Sequence, residues 1–292
     1  MKRFFLILFS FSVFAQEPPD TEIFLFDIIS ENDESLKFEN GKNISNNEGY
    51  DNQPSFYSED ILLYSGTRHG QTDIAAIDLE DSRNFWVSNT EAGSEFSPKR
   101  IPGSTDVAAV RLDTTGLQLL YNYNMETGNS TVLLPDLVVG YFAFYNQNLL
   151  LTAVLADNQL DLVLNDLKQR ISKTVVRNIG RSIHKVPETG SMSYTVVNDE
   201  NKHDLYLFDL ENVEPESFFL CTLPEGVSDY AWLDEDRILL GKGDHLYLYD
   251  IFGESEWVPI ADLSEYNLDN ISRIAINESG TKIALAAELL RK

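Results

Sequence analysis

Only one cysteine, Cys221, occurs in the 292 residues, so no internal disulfide braces the chain. It sits in the apolar run Phe218-Phe219-Leu220-Cys221, where an unpaired cysteine reads as a small buried hydrophobe rather than a nucleophile. Basic residues are scarce: 22 Lys and Arg stand against 47 Asp and Glu, a net charge of −25. A surface of that sign lacks the basic footprint that nucleic acid requires, and it disfavours anionic membranes. The four histidines, His69, His184, His203 and His245, include no pair at zinc-ligand spacing. There is no Gly-x-Ser-x-Gly elbow, no His-Glu-x-x-His and no phosphate loop, so no locally encoded catalytic motif is present. Helical periodicity is also missing. The apolar run Phe4–Phe14 is too short to cross a bilayer as a helix, and no later segment is a candidate.

That short run has another reading. Lys2 and Arg3 precede it and Ala15-Gln16 follows it, which is the layout of a secretion signal with a cleavage point. The expected organisation is a signal over residues 1–15 and a single domain over 16–292. The expected location is outside the cytoplasm, periplasmic or extracellular.

What the chain does have is a repeated phrase. Glu22-Ile23-Phe24-Leu25-Phe26-Asp27-Ile28 recurs in altered form around Asp78, Asp136, Asp166, Asp209 and Asp250. Each copy reads as a buried strand ended by an Asp and one aliphatic residue. A repeat of roughly 40–45 residues filled with short strands is the signature of a β-propeller. Six copies predict six four-stranded blades with the phrase as third strand. First strands are expected near Gln53–Tyr57, Val107–Arg111, Tyr141–Tyr145, Arg181–Val186, Ser228–Leu233 and Ile271–Ile276. The last blade would be completed from both ends, with Glu22–Ile28 and Leu36–Ile44 joining Ile271–Ile276 and Thr281–Ala286. Such closure leaves no open sheet edge. The recurring Asp reads as turn chemistry, since its side chain accepts backbone N–H bonds one or two residues on.

The segment Asp51-Asn52-Gln53-Pro54-Ser55-Phe56, with Ile61-Leu62-Leu63-Tyr64-Ser65-Gly66-Thr67-Arg68-His69-Gly70-Gln71-Thr72-Asp73-Ile74 after it, resembles the TolB-like repeat, also called the PD40 or WD40-like propeller repeat. Asn277-Glu278-Ser279-Gly280-Thr281-Lys282-Ile283-Ala284 keeps the turn and second strand of that pattern. Tyr57-Ser58-Glu59-Asp60 replaces its usual Ser-Pro-Asp-Gly turn, and His69 stands where Asp is common. The chain is similar to exported propellers of a Bacteroidetes type. The resemblance implies a six-bladed fold and an envelope or extracellular location; propellers of this kind serve as protein docks, sugar binders and enzymes alike.

In a four-stranded blade, the loops entering first strands and those joining second to third strands share one face. The candidate ligand-binding rim of the channel on that face is Asp51, Asn52, Gln53, Asp106, Tyr141, Arg181, Asp229 and Arg273, overhung by Arg68 and His69. His184 is the histidine expected to face the channel. Asp51, Asp106 and Asp229 carry the oxygen ligands Ca²⁺ favours, but no Asp-x-Asp-x-Asp-Gly loop supports a metal, and neither metal nor cofactor is assigned. The favoured reading is a non-catalytic propeller that binds an envelope protein or a small polar or sugar ligand through the channel face. The alternative is a hydrolase or lyase acting on a sugar or lactone, which requires acidic and His residues to converge on one point.

Overall fold

Runs such as Ile23-Phe24-Leu25-Phe26 are apolar at every position because the strand they form is packed on both faces. Side chains alternate across a strand. Accordingly Ile23 and Leu25 enter one core, while Phe24, Phe26 and Ile28 enter the next. The computed structural model of the protein describes residues 19–32, 35–211 and 216–290. The expected signal lies outside the described residues. Within them the strands form six four-stranded antiparallel sheets, a six-bladed β-propeller.

Blade 1 runs from Asn52–Phe56 to Arg83–Trp86, and blade 2 from Ser94–Arg100 to Ser130–Leu134. Blade 3 runs from Val139–Phe144 to Ile171–Val176, and blade 4 from Ile179–Lys185 to Ser217–Thr222. Blade 5 runs from Ala231–Trp232 to Val258–Asp262. Blade 6 joins Leu268–Ile276 and Lys282–Leu289 to the N-terminal Thr21–Asn32 and Ser35–Asn43. The expected closure is therefore realised: Thr21 to Asp27 pair in unbroken antiparallel register with Glu288 to Lys282. Six hydrophobic cores fill the six interfaces between neighbouring blades. The N-terminal strand is shared by two of them, and fully buried Phe26 meets Tyr266 edge to face at 4.8 Å. Gly41 is required beside them, because a Cβ there would overlap both rings.

Blade 2 departs from the sequence expectation. Val107–Leu112 is its second strand, paired between Ser94–Arg100 and Gln118–Tyr123. The phrase around Asp136 is consequently its fourth strand, Ser130–Leu134, and Asp136 follows that strand. Asp106 then lies in the loop between first and second strands, on the face opposite the expected rim. Its carboxylate accepts hydrogen bonds from Asn122 Nδ2 (3.1 Å) and Asn124 Nδ2 (3.2 Å).

The recurring Asp works as a turn residue in four blades. Asp78, Asp166, Asp209 and Asp250 each end a third strand and accept a backbone N–H two or three residues on, from Glu80, Gln169, Glu211 and Phe252. Asp27 does something else. It lies within Thr21–Asn32, where it pairs with Lys282 Nζ at 2.9 Å and accepts a hydrogen bond from Asn40.

Candidate functional site

Inner strands should be regular if their only task is to pair. In five of the six blades the inner strand instead breaks register against its neighbour: between Asn52 and Ser55, Phe96 and Lys99, Val139 and Tyr141, Ile179 and Ile183, and Asp269 and Arg273. A bulge bends the strand and re-aims side chains, here towards the channel. Three bulge residues, Gln53 (φ 56°), Ser97 (φ 53°) and Asn270 (φ 50°), hold left-handed backbone that costs a non-glycine residue energy. The side-chain oxygen Oε1 of Gln53 fixes the first two by accepting hydrogen bonds from Ser97 N (2.7 Å) and Ser65 Oγ (2.9 Å).

The bulges build a narrow waist of about 60 Å³ to which every blade contributes. Blade 1 supplies Gln53, blade 2 Lys99, blade 3 Tyr141, blade 4 Arg181 and His184, and blade 6 Arg273, while Asp229 comes from the segment leading into blade 5. On one side the waist opens to a mouth of about 230 Å³ that Lys242, Glu225 and Ser272 help to line. On the other a wider vestibule of about 500 Å³ shares Lys99 and His184 with it.

Asp229 is the acidic side chain of the waist, and both its oxygens are engaged. Its carboxylate accepts Ser182 Oγ (2.7 Å), Arg273 Nη1 (3.0 Å) and the Ile274 backbone N–H (3.1 Å). Burial opposes its charge, yet the Arg273, His184 and Arg181 fields and these bonds hold its pKa below the ordinary 3.8. Arg273 also lies over the Tyr141 ring at 5.4 Å. Arg181 donates through Nη2 to Ser272 O (3.1 Å), whereas its Nε is buried without a hydrogen-bond partner. Burial, with Arg273 nearby, holds the Arg181 pKa below its usual range.

Lys99 lies 5.8 Å from the centre of the Phe142 ring. Burial pushes its pKa down to about 8, with Asp229 opposing and Arg273 reinforcing the shift. His184 packs at 4.5 Å against Tyr230 with the rings tilted by 53°, and its Nε2 is buried without a partner. Burial and the adjacent Lys99 push its pKa down to about 3, so it is a neutral imidazole at physiological pH.

The structure thus gathers Gln53, Tyr141, Arg181, Asp229 and Arg273 at one place, with His184. The other candidates are elsewhere. Asp51 is completely buried at the seam between blades 6 and 1, accepting hydrogen bonds from Asn47 Nδ2 (3.1 Å) and Thr67 N (3.2 Å). Asn52 bridges the same seam through Thr21 Oγ1 and Ser272 Oγ. Arg68 turns into blade 1, where it pairs with Asp73 at 3.0 Å and covers Trp86 at 4.5 Å. His69 occupies a left-handed turn position (φ 53°) between the second and third strands of blade 1. Asp106 is on the opposite face, as described.

Lys99 and Ser97 are waist residues that sequence reasoning missed, because the first strand of blade 2 was placed thirteen residues too late. A signal was available. The phrase positions Asp78, Asp136 and Asp166 are unevenly spaced, whereas the third strands of blades 1 to 5 end at Asp78, Tyr123, Asp166, Asp209 and Asp250, in steps of 41 to 45 residues.

Among the described residues, one group of metal-ligating side chains comes together, Asp244, His245 and Asp262 on blade 5. His245 already directs Nδ1 at Asp244 (2.5 Å) and Nε2 towards Asp262 (4.0 Å), so it acts as a link between two carboxylates.

Three solved structures set this fold among known proteins. It is similar to a TolB candidate from Agrobacterium tumefaciens, with a TM-score of 0.66 and 12% identity over 92% of this chain and 98% of that one. It is similar to TolB from Acinetobacter baumannii, at 0.59 and 8% over 92% of this chain, and spans 64% of that protein's length. It is also similar to an oligogalacturonate lyase in complex with manganese, at 0.52 and 14% over 85% of this chain and 79% of that one. At such identities the likeness is one of fold: a TolB-like β-propeller. No family model matches the chain, and no curated protein matches it in sequence. No helix among the described residues is long and apolar enough to cross a membrane.

Proposed function

We propose that this chain is an exported, non-catalytic propeller of the TolB-like, PD40 kind, Bacteroidetes-type, that holds a protein or cell-envelope ligand through its channel face. The observation that carries the reading is the waist itself. All six blades contribute to it, five of them through bulged inner strands, and strained backbone is retained at Gln53 and Ser97. Packing between blades would be served equally well by regular strands. Left-handed backbone at these two non-glycine residues of the inner strands, where side chains of several blades meet, supports a recognition site there.

Binding is favoured over hydrolysis or elimination by what fails to converge. Of the carboxylates a sugar- or lactone-cleaving site would draw on, Asp51 is sealed in a seam and Asp106 faces the far side. Asp229 remains, with Arg273 and Ser182 on one oxygen, the Ile274 N–H on the other, and a pKa held below 3.8. A general base works best with a pKa near the operating pH, and a carboxylate held this acidic is a weak one.

The test is a mild crosslinking pull-down of the tagged mature chain from its own envelope fraction, read by mass spectrometry. Wild type should capture a reproducible partner that is lost in Lys242→Glu, which reverses an exposed charge at the channel mouth. A partner retained in that variant and crosslinked to the outer strands would contradict channel-face binding.

A further inference from the structure

The distribution of charge inside this protein is the reverse of that on its surface. The whole chain carries −25, with more than two acidic residues for each basic one. At the waist the ratio inverts: Lys99, Arg181 and Arg273 surround the single carboxylate of Asp229. Asp229 neutralises one cation, Arg273, by direct contact at 3.0 Å. Lys99 is partly exposed into the channel, with the Phe142 ring beside it, and Arg181 keeps a buried Nε that donates to nothing. A buried donor without an acceptor costs about 1–3 kcal/mol, more when the group is charged. Three partly buried cations around one carboxylate leave positive charge unbalanced, and a second anion would balance it.

We propose that the waist is an anion site that takes the carboxylate of a small polar molecule entering from the mouth, bound by Lys99, Arg181 and the buried Nε2 of His184. This deepens the channel-face reading and rests on it. The size fits the assignment. A waist of about 60 Å³ holds a few water-sized groups and so accommodates a carboxylate but not a sugar ring. The mouth of about 230 Å³ takes the body of the molecule, and its polar rim of Ser272, Lys242 and Glu225 suits hydroxyl groups. An arginine with Nε free offers the planar edge that pairs with a carboxylate. Neutral His184 adds a hydrogen bond without adding a fourth repelling charge. Gln53 keeps Ser97, and with it the strand carrying Lys99, in its bulged path.

The groups that face the Lys99 ammonium are Asp229, Arg273 and His184. Of these, Asp229 and Arg273 hold their charges, and His184 stays neutral, throughout the neutral and mildly alkaline range. Alkaline titration of the waist therefore belongs to Lys99, and anion affinity should decline as pH rises through about 8.

Two matched probes isolate the carboxylate. Glucuronate and glucose share a sugar ring and differ in the acid group, while succinate carries the acid without the ring. Titration calorimetry at low salt should give heat with glucuronate or succinate and none with glucose. Glucuronate binding more tightly than succinate identifies a sugar acid as the source, and the reverse order identifies an aliphatic acid. Arg181→Gln and Lys99→Met should each weaken the preferred acid at least tenfold. Lys99→Met should melt no lower than wild type, since it removes a desolvated charge, which keeps the test valid if Arg181→Gln folds poorly. Wild-type affinity should also fall several-fold between pH 7 and pH 9.5. Binding of glucose as tight as glucuronate, binding of neither acid, or affinity unchanged in Lys99→Met overturns the anion site. Capture of an envelope partner by a protein that binds neither acid also overturns it, and leaves channel-face docking standing.

Discussion

Replacing Asp51 by Asn should stabilise the protein at neutral pH while removing part of its pH dependence. Asp51 has no exposure, and burial pushes its carboxyl up to about 6 against an ordinary value of 3.8. Hydrogen bonds from Asn47 and Thr67 oppose that rise, and Oδ2 has no partner at all. The folded state therefore holds the proton more tightly than the unfolded chain does. Stability from this group is fully present below pH 3.8 and is lost as pH rises through about 6. The difference between the two values corresponds to about 3 kcal/mol at pH 7. Asparagine keeps an oxygen for Asn47 and Thr67 and cannot ionise. The gap in unfolding free energy between variant and wild type should thus widen by about 3 kcal/mol from pH 3.5 to pH 7, or roughly 6–12 °C in Tm. Parallel urea melts across that range measure it, and taking the difference removes the many other carboxylates. A constant gap, or one that narrows with pH, would refute a desolvated carboxyl at the seam.

Three further outcomes follow from the packing. Phe26→Ala, at a fully buried position between blades 5 and 6, should cost about 3–5 kcal/mol and keep one cooperative calorimetric transition; an early small transition ahead of an unshifted main one would contradict ring closure. Arg68→Ala should cost about 2 kcal/mol in urea melts, because Asp73 keeps the Ser88 and Gln71 donors, and should leave partner capture intact; capture lost at unchanged stability would place Arg68 in the interface instead. Cys221 is buried and its thiol is pushed up to about 12 by burial and by Asp204, so iodoacetamide at pH 8 should label it only on unfolding; labelling of native protein at the rate of a free thiol would contradict that environment.

Much of the fold was legible because the two faces of each third strand are buried in two different cores, which produces unbroken apolar runs such as Leu205 to Phe208 ended by a turn-forming Asp. Blade 2 hid its third strand, because Leu119-Leu120-Tyr121-Asn122-Tyr123 ends in Asn124 rather than Asp. A second apolar phrase, Thr131 to Leu137, imitated it one strand later. That single displacement sent Asp106 to the wrong face and concealed Lys99. The site was only partly legible for a further reason. Polar residues before a first strand can turn inward to the channel, as Asp229 does, or sideways into the next blade, as Asp51 and Asn52 do. The local path of the chain decides between these, and a bulge such as that at Gln53 leaves no mark in composition. His184, by contrast, could be placed from strand alternation alone.

The channel as the binding face is tested most directly by hydrogen exchange on the protein, free and crosslinked to the partner it captures. Protection should rise in the segments that line the mouth, Glu225–Asp229, Gly241–Gly243 and Asn270–Arg273. Protection confined to outer strands such as Ile171–Val176 and Ser217–Thr222, with the mouth segments unchanged, would contradict binding through the channel.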